Sequence, residues 1–144
     1  MKTLAGLRDR SAEWRESAAI WAGHVTDTSW TAETVHFHHD LCDDRAGALS
    51  LELSEEAKFA LYRLLGSYGQ RLVALIHTHP HDWVDLSEVD EANQLSSRFG
   101  FWSLVVPWYA REPWIVEEIG VHRRGALGWH RINVAEVPSH VRIV

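Results

Sequence analysis

The chain of 144 residues is long enough to bury a core and predicts one domain over residues 1–144. Its 46% hydrophobic and 24% charged residues exclude a disordered chain and a disulfide-stapled mini-protein. The net charge of −6 argues against a general binder of nucleic acid. Cys42, the single cysteine, suits a reducing compartment, and no signal peptide or membrane-spanning run is evident. We therefore expect a soluble, cytoplasmic protein that is complete as it stands.

Hydrophobic patterning predicts strands along most of the chain after a short helical or irregular segment that ends near Arg15. The predicted strands cover 17–25, 34–39, 72–76 and 101–109, a hairpin of 114–122 with 127–133, and a final strand at 137–144. The run at 72–76 is apolar throughout, which is typical of a strand covered on both faces.

Two helices are predicted on either side of that central strand. The first has Ser54 as its N-cap and ends at Gly66, and the second runs from Ser87 to about Phe99. The core-facing stripe of the first helix is predicted to comprise Ala57, Leu61, Leu64 and Leu65. The order of elements predicts an α/β or α+β fold with a central mixed sheet flanked by helices.

A group of metal-ligating residues follows the central strand. His77 and His79 are two positions apart at its end, so their rings project to the same side. Asp90 lies one turn into the following helix, where its carboxylate can return toward the strand end. Two imidazoles and one carboxylate leave one position open on a tetrahedral zinc, which is the arrangement of a catalytic site. Water bound at that position is acidified to a pKa near 7.

These residues form part of a longer motif, His77-x-His79-Pro80 followed by Ser87-x-x-Asp90. The motif resembles the JAMM signature of the JAB/MPN (MPN+) zinc metalloproteases, and the compact chain resembles their free-standing prokaryotic members. The resemblance covers roughly residues 14–132 and implies a JAB/MPN domain of the cytidine deaminase-like type. It also implies one zinc ion per chain, bound by His77, His79 and Asp90.

The family carries a glutamate upstream, in a segment of the form Glu-x-x-Gly-x-Leu-x-Gly. Here the matching segment runs from Glu16 to Gly23, with Ala19 in place of the middle glycine and Trp21 in place of the leucine. Glu13 is the rival position, although a solvated surface carboxylate is the better interpretation of it. Only fifteen residues precede Glu16, fewer than family members usually carry, so part of the core would be covered by a partner or a second copy.

The resemblance implies a catalytic role for two further residues. Glu16 would deprotonate the zinc-bound water and carry the proton to the leaving amine. Ser87 would donate a hydrogen bond to the carbonyl oxygen as it becomes an oxyanion, and it can cap the second helix as well. His81 would line the mouth of the cleft or orient ligands, and Trp83, in the loop between the ligands, could contact a substrate tail at the cleft.

Other histidines carry weaker signals. His36, His38, His39 and Asp40 could form a second metal cluster, but the polar face of a half-exposed strand and a loop is the better interpretation. We expect the tryptophans at 102, 108, 114 and 129 to pack in the core or at its edge.

The resemblance implies hydrolysis of an amide or isopeptide bond after the C-terminal tail of a ubiquitin-like protein. The expected partners are that protein, its conjugates and E1- or E2-like enzymes encoded nearby. We expect no binding to nucleic acid or to a membrane, and an oligomer is compatible with the sequence. One alternative is a peptidase acting on a sulfur-carrier protein in cofactor or cysteine synthesis. Another is a non-catalytic MPN scaffold, which the presence of all three ligand positions and Ser87 disfavours. DNA-repair-associated relatives carry His-Asn-His-Pro, which differs from the sequence here.

Overall fold

The computed structural model describes residues 2–11, 15–41 and 52–136. Three features of the sequence lie outside these described residues: the rival carboxylate Glu13, the cysteine Cys42 and the predicted strand at 137–144.

A mixed sheet of six strands forms the centre of the described structure, in the spatial order β2-β1-β3-β4-β5-β6. The strands are β1 (Ala18–Val25), β2 (Trp30–Phe37), β3 (Arg71–Thr78), β4 (Trp102–Val106), β5 (Gly120–Arg124) and β6 (Trp129–Arg131). Only β3 and β4 pair in parallel, and the other four pairings are antiparallel. A parallel pair requires a crossover connection, and here that connection carries the second predicted helix.

Helices cover the sheet on both faces. They are α1 (Lys2–Arg10), the single turn α2 (His38–Leu41), α3 (Glu55–Ser67) and the short α4 (Glu88–Ala92). Leu4 and Leu7 of α1 pack into one core with Ile76 of the central strand. Leu61 and Leu65 of α3 pack into a second core on the opposite face. The predicted sheet flanked by helices is therefore confirmed. Within the part of the chain that the structure describes, no helix is both long and apolar enough to cross a membrane.

The helix α3 begins as predicted but ends later. Ser54 caps it by accepting a hydrogen bond from the amide of Ala57. Gly66 lies inside the last turn, and the left-handed residue that follows the helix is Gly69, with a φ of 64°. Leu64, which was predicted to face the core, is 40% exposed, whereas Leu61 and Leu65 are buried.

The helix α4 is much shorter than predicted and ends at Ala92 rather than near Phe99. Beyond Ala92, hydrogen bonds made by side chains take the place of the helical backbone bonds. The Ser96 hydroxyl accepts from the amide of Arg98, and the Gln94 amide donates to Ser103 of β4. These bonds give the crossover an irregular path back to the sheet.

Three further differences concern strands and turns. His38 is buried in α2 rather than on the polar face of a strand. Residues 114–119 contain a 3₁₀ turn instead of strand, so the hairpin is confined to β5 and β6 and turns at 125–128. Trp108 is 49% exposed, because β4 ends at Val106 and the chain leaves the sheet after Pro107.

Candidate metal centre

The end of β3 and the first turn of α4 bring three ligand atoms together. Among the described residues, His77, His79 and Asp90 form the one group of at least three such side chains whose ligand atoms lie within 4.8 Å of one another. The Nε2 atoms of the two histidines are 3.2 Å apart. Asp90 Oδ1 lies 3.3 Å from His77 Nε2, and Asp90 Oδ2 lies 3.4 Å from His79 Nε2. Both imidazoles are buried, and the carboxylate side chain is 14% exposed.

These separations fit a tetrahedral cation. Ligand atoms at about 2.0–2.1 Å from a tetrahedral zinc stand about 3.3–3.4 Å from one another. The donor set, two imidazole nitrogens and a carboxylate oxygen, is one that zinc prefers. Three acceptor atoms facing one another at this spacing repel unless a cation or shared protons lie between them. The residues present therefore fit a divalent metal ion.

The ring of His79 is oriented by the loop between the two ligand-bearing elements. Its Nδ1 donates to the backbone carbonyl of Trp83 over 2.8 Å, so that in the neutral ring Nε2 has a lone pair toward the centre. The Trp83 ring stacks on the His79 ring at 5.5 Å between centroids and 18° between planes, and it is 46% exposed. His81 lies edge-on to His79 at 5.7 Å. The structure thus places His81 and Trp83 beside the candidate ligands, at the mouth of the site.

Asp90 is oriented by the cap of its own helix. The Ser87 amide and hydroxyl both donate to Asp90 Oδ2 over 2.7 Å, and Ser87 Oγ accepts from the Asp90 amide over 3.1 Å. This capping box is the local reason that Ser87-x-x-Asp90 turns the carboxylate back toward the strand end. In the structure the Ser87 hydroxyl is bound to Asp90 and lies beside the three ligand atoms.

The charges at the centre reinforce one another. Burial opposes ionisation of Asp90, but hydrogen bonds from His77 and His79 outweigh it and hold the Asp90 pKa far below its ordinary range. Burial likewise opposes protonation of His79, yet the Asp90 carboxylate and the Trp83 carbonyl raise the His79 pKa above its ordinary value. Asp90 is therefore ionised at neutral pH, as a metal ligand must be.

Glu16 lies within electrostatic range of the three candidate ligands. Burial raises the pKa of its carboxyl, while His79 and His77 act in the opposite direction and Asp90 adds to the increase. Glu16 as a whole residue is nevertheless exposed, so its carboxyl lies between the metal centre and solvent. The register places it there: β1 pairs with β3 antiparallel with Ala18 opposite His77, and Glu16 shares the parity of Ala18.

A left-handed turn braces the ligand strand from the side of β4. The His79 amide donates to the carbonyl of Val106, and the His79 carbonyl accepts from the amide of Tyr109 over 2.8 Å. Trp108, Tyr109 and Ala110 all have φ near 55°, a region that L-residues rarely occupy. Backbone strain of this kind persists where surrounding contacts over-determine it, and it clusters at functional sites.

The other histidine cluster does not form a metal group. Asp40 pairs with Arg10 over 3.0 Å, and the described residues contain no second set of converging ligands. The weaker interpretation of His36, His38 and His39 as a metal site is therefore not supported by the part of the chain that the structure describes.

The sequence is 33% identical over 141 residues to a probable metalloprotease of Sinorhizobium fredii, covering 95% of this chain and 82% of the relative. The chain belongs to the JAB/MPN metalloprotease family. No family model matches it.

Solved structures share the fold of this chain without close sequence similarity. A protein of Desulfitobacterium hafniense aligns with a TM-score of 0.61 at 16% identity, covering 92% of this chain and 84% of its own. A protein of Salinibacter ruber aligns with a TM-score of 0.58 at 17% identity, covering 92% and 86%. A JAB1/MPN domain protein of Archaeoglobus fulgidus aligns with a TM-score of 0.49 at 17% identity, covering 90% and 89%.

Sequence reasoning missed the groups of this JAB/MPN domain that hold the candidate ligands. The carbonyl of Trp83 and the amide of Tyr109 are backbone atoms, which no side-chain motif records. Thr78 stands between the two histidines, and its hydroxyl accepts from the Ser17 amide over 2.9 Å. A small hydroxyl residue inside a ligand motif was the one available signal, and it is a weak one.

Proposed function

We propose that this protein is a zinc-dependent peptidase that hydrolyses an amide or isopeptide bond after the C-terminal tail of a ubiquitin-like protein. The observation that carries the proposal is the convergence of His77, His79 and Asp90 on one point, with the Glu16 carboxyl in their field. Membership of a metalloprotease family supports the hydrolytic activity. The motif's resemblance to the JAMM isopeptidases supports the class of substrate.

Each residue has a distinct role in this proposal. His77, His79 and Asp90 would hold zinc, which polarises a scissile carbonyl and acidifies water. Glu16 accepts the proton of the attacking water and delivers it to the leaving amine, and its raised pKa suits a group that must both take and release a proton. The Ser87 hydroxyl, whose single proton goes to Asp90 Oδ2 in the structure, would rotate to donate that proton's hydrogen bond to the carbonyl oxygen as negative charge develops there.

The exposed ring of Trp83 favours a substrate that binds in an extended conformation. The indole is about half exposed and stacked on the ring of His79, so it offers a flat apolar surface beside the reacting bond. A flexible tail that ends in small residues would fit such an exposed site more readily than a folded segment.

Metal analysis of the purified protein tests the ligand assignment. We expect close to one zinc per chain in the wild type and none when His77→Ala and His79→Ala are combined, because a single remaining carboxylate binds zinc weakly. His130→Ala is the matched control, since His130 is exposed and lies on β6. Stoichiometric zinc in the double variant would overturn the assignment.

Cleavage assays test the activity and the substrate class. The substrates are bacterial ubiquitin-like and sulfur-carrier proteins, each with a C-terminal fluorogenic amide or an isopeptide-linked lysine. We expect cleavage of the ubiquitin-like set, and Glu16→Gln should retain zinc while losing about 100-fold or more in kcat, as removal of general acid-base catalysis does. Full activity of Glu16→Gln would remove Glu16 from the mechanism, and cleavage confined to the sulfur carriers would replace the substrate class.

A further inference from the structure

A buried group of hydroxyls lies on the face of the sheet opposite the metal centre. It consists of Ser11, Ser17 and Thr78, all of them buried in the structure. Ser17 Oγ lies 2.8 Å from Ser11 Oγ and donates to the carbonyl of Leu7 in α1 over 2.8 Å. Ser11 Oγ lies 3.4 Å from Thr78 Oγ1. The three hydroxyls therefore join the end of α1, the start of β1 and the end of β3.

The strand alternation relates this group to the metal centre. Thr78 lies between the two candidate histidine ligands, so its side chain points to the face opposite theirs. Ser17 follows Glu16, so its side chain points away from the face that Glu16 shares with His77. Ser17 is thus adjacent in sequence to Glu16, and Thr78 is adjacent to the two candidate histidine ligands, all of which lie on the catalytic face.

Backbone bonds tie the two neighbours together. The Thr78 amide donates to the Ser17 carbonyl over 2.9 Å, and the Ser17 amide donates to Thr78 Oγ1 over 2.9 Å. The Ser17 amide belongs to the peptide group that joins Glu16 to Ser17, so this second bond fixes the backbone of Glu16. The acceptor of this second bond is a side-chain oxygen rather than a backbone carbonyl, so one substitution can remove it.

We propose that Thr78, supported by Ser17 and Ser11, is a positioning residue that sets the distance of Glu16 from the metal centre. The proposal rests on the role of Glu16 in the proposed function. Its physical basis is that proton transfer needs Glu16 within hydrogen-bond reach of the reacting water. A displacement of about 1 Å can lower a catalytic rate about 100-fold.

The decisive comparison is between Thr78→Val and Thr78→Ser. Valine keeps the shape of threonine but leaves the buried Ser17 amide without its acceptor, whereas serine keeps the acceptor oxygen and loses only a methyl group. We expect Thr78→Val to lower kcat about 10- to 100-fold with KM within about twofold of wild type. Thr78→Ser should restore kcat to within about threefold.

Two readouts do not depend on catalysis. Hydrogen exchange of the Ser17 amide should accelerate at least about tenfold in Thr78→Val and return toward the wild-type rate in Thr78→Ser, because the bond to Oγ1 protects that amide. Zinc affinity, measured by competition with a chelator, should stay within about threefold of wild type in both variants. A large loss of zinc affinity in Thr78→Val would show that Thr78 acts on the ligands instead, and would overturn the proposal.

A control variant separates positioning from general destabilisation. Ile20→Val deletes a methyl group from β1 on the face covered by α3, away from the hydroxyl group. We expect it to lower the midpoint of thermal unfolding while leaving kcat unchanged at 25 °C. If Thr78→Val does not fold, Ser17→Ala replaces it, since this change cuts the bonds to Leu7 and Ser11, and a smaller fall in kcat is expected.

The outcomes distinguish this proposal from the proposed function. If wild type cleaves none of the substrates, the proposed function fails, and the positioning role fails with it. If wild type cleaves and Thr78→Val is equally active although its Ser17 amide exchanges faster, the positioning role alone is refuted. Equal loss of kcat in Thr78→Ser and Thr78→Val would also refute it, because only one of them removes the acceptor.

Discussion

Gly120 at the start of β5 lies under the loop that holds His79, and its replacement by alanine tests that contact. A Cβ at this position would lie 2.9 Å from Val84 Cβ and 3.0 Å from the Val84 carbonyl carbon, and it would overlap the Val84 carbonyl oxygen. Carbon atoms in contact stand about 3.5–4.0 Å apart, so the backbone at Val84 must move by about 1 Å. The adjacent carbonyl of Trp83, which accepts the hydrogen bond from His79 Nδ1, would move with it.

Two magnitudes follow from this displacement. Overpacking of a close backbone contact costs about 1–3 kcal/mol, which corresponds to a fall of about 3–10 °C in the midpoint of thermal unfolding for a chain of this size. Loss of the bond that orients a histidine ligand lowers metal affinity about 10- to 100-fold. Circular dichroism melts of the metal-free protein measure the first effect, and competition with a chelator measures the second.

Gly66→Ala is the matched control for Gly120→Ala. Gly66 lies in α3, and nothing is within 4 Å of the position its Cβ would take. Alanine should therefore stabilise the helix by about 0.5–1 kcal/mol and leave metal affinity unchanged. An unchanged melting midpoint in Gly120→Ala would refute the close approach of the loop. A lower midpoint with undiminished metal affinity would refute the role of the Trp83 carbonyl.

Two other substitutions give contrasting outcomes. Ser87→Ala and Ser54→Ala each remove a helix N-cap, and each should lower the free energy of unfolding by about 1 kcal/mol in thermal melts. Only Ser87→Ala should lower kcat, by about 100-fold. Equal activity of the two variants would contradict the role of Ser87. Burial lowers the pKa of His122, although Asp85 at 3.8 Å opposes the shift. As pH falls, His122 therefore takes up a proton in the unfolded chain before it does so in the folded chain, and the folded state loses stability below about pH 6.5. His122→Gln should lose less stability than wild type between pH 7.5 and pH 5.5 in parallel thermal melts, and an equal loss would contradict this assignment.

The sequence predicted best where local spacing decides geometry. Two side chains at positions i and i+2 of a strand must share a face, which is why His77 and His79 could be paired before their neighbours were known. A serine followed three residues later by an acid closes a capping box, which brings Asp90 back over the start of its helix. The apolar run at 72–76 likewise predicted a strand buried between two layers, because both faces of it are hydrophobic.

The sequence predicted least where contacts between distant segments decide the outcome. The second helix was expected to reach Phe99, but the bond from Gln94 to Ser103 of β4 draws the chain away after Ala92. The strand predicted to end at Tyr109 stops at Val106, because the following residues bond to the His79 loop in a left-handed turn. Neither contact leaves a periodic trace in the residues that make it.

The central place of β3 in the sheet bears on how metal binding is coupled to folding. Its neighbours β1 and β4 hold it on both sides, and its end is held further by the Val106 carbonyl and the amide of Tyr109. The ligand strand is thus ordered by backbone bonds that need no ion. Small zinc domains that lack such a scaffold must spend binding energy on folding. We therefore expect chelation to leave the tertiary structure of this chain in place, and zinc added back to bind the same three ligands.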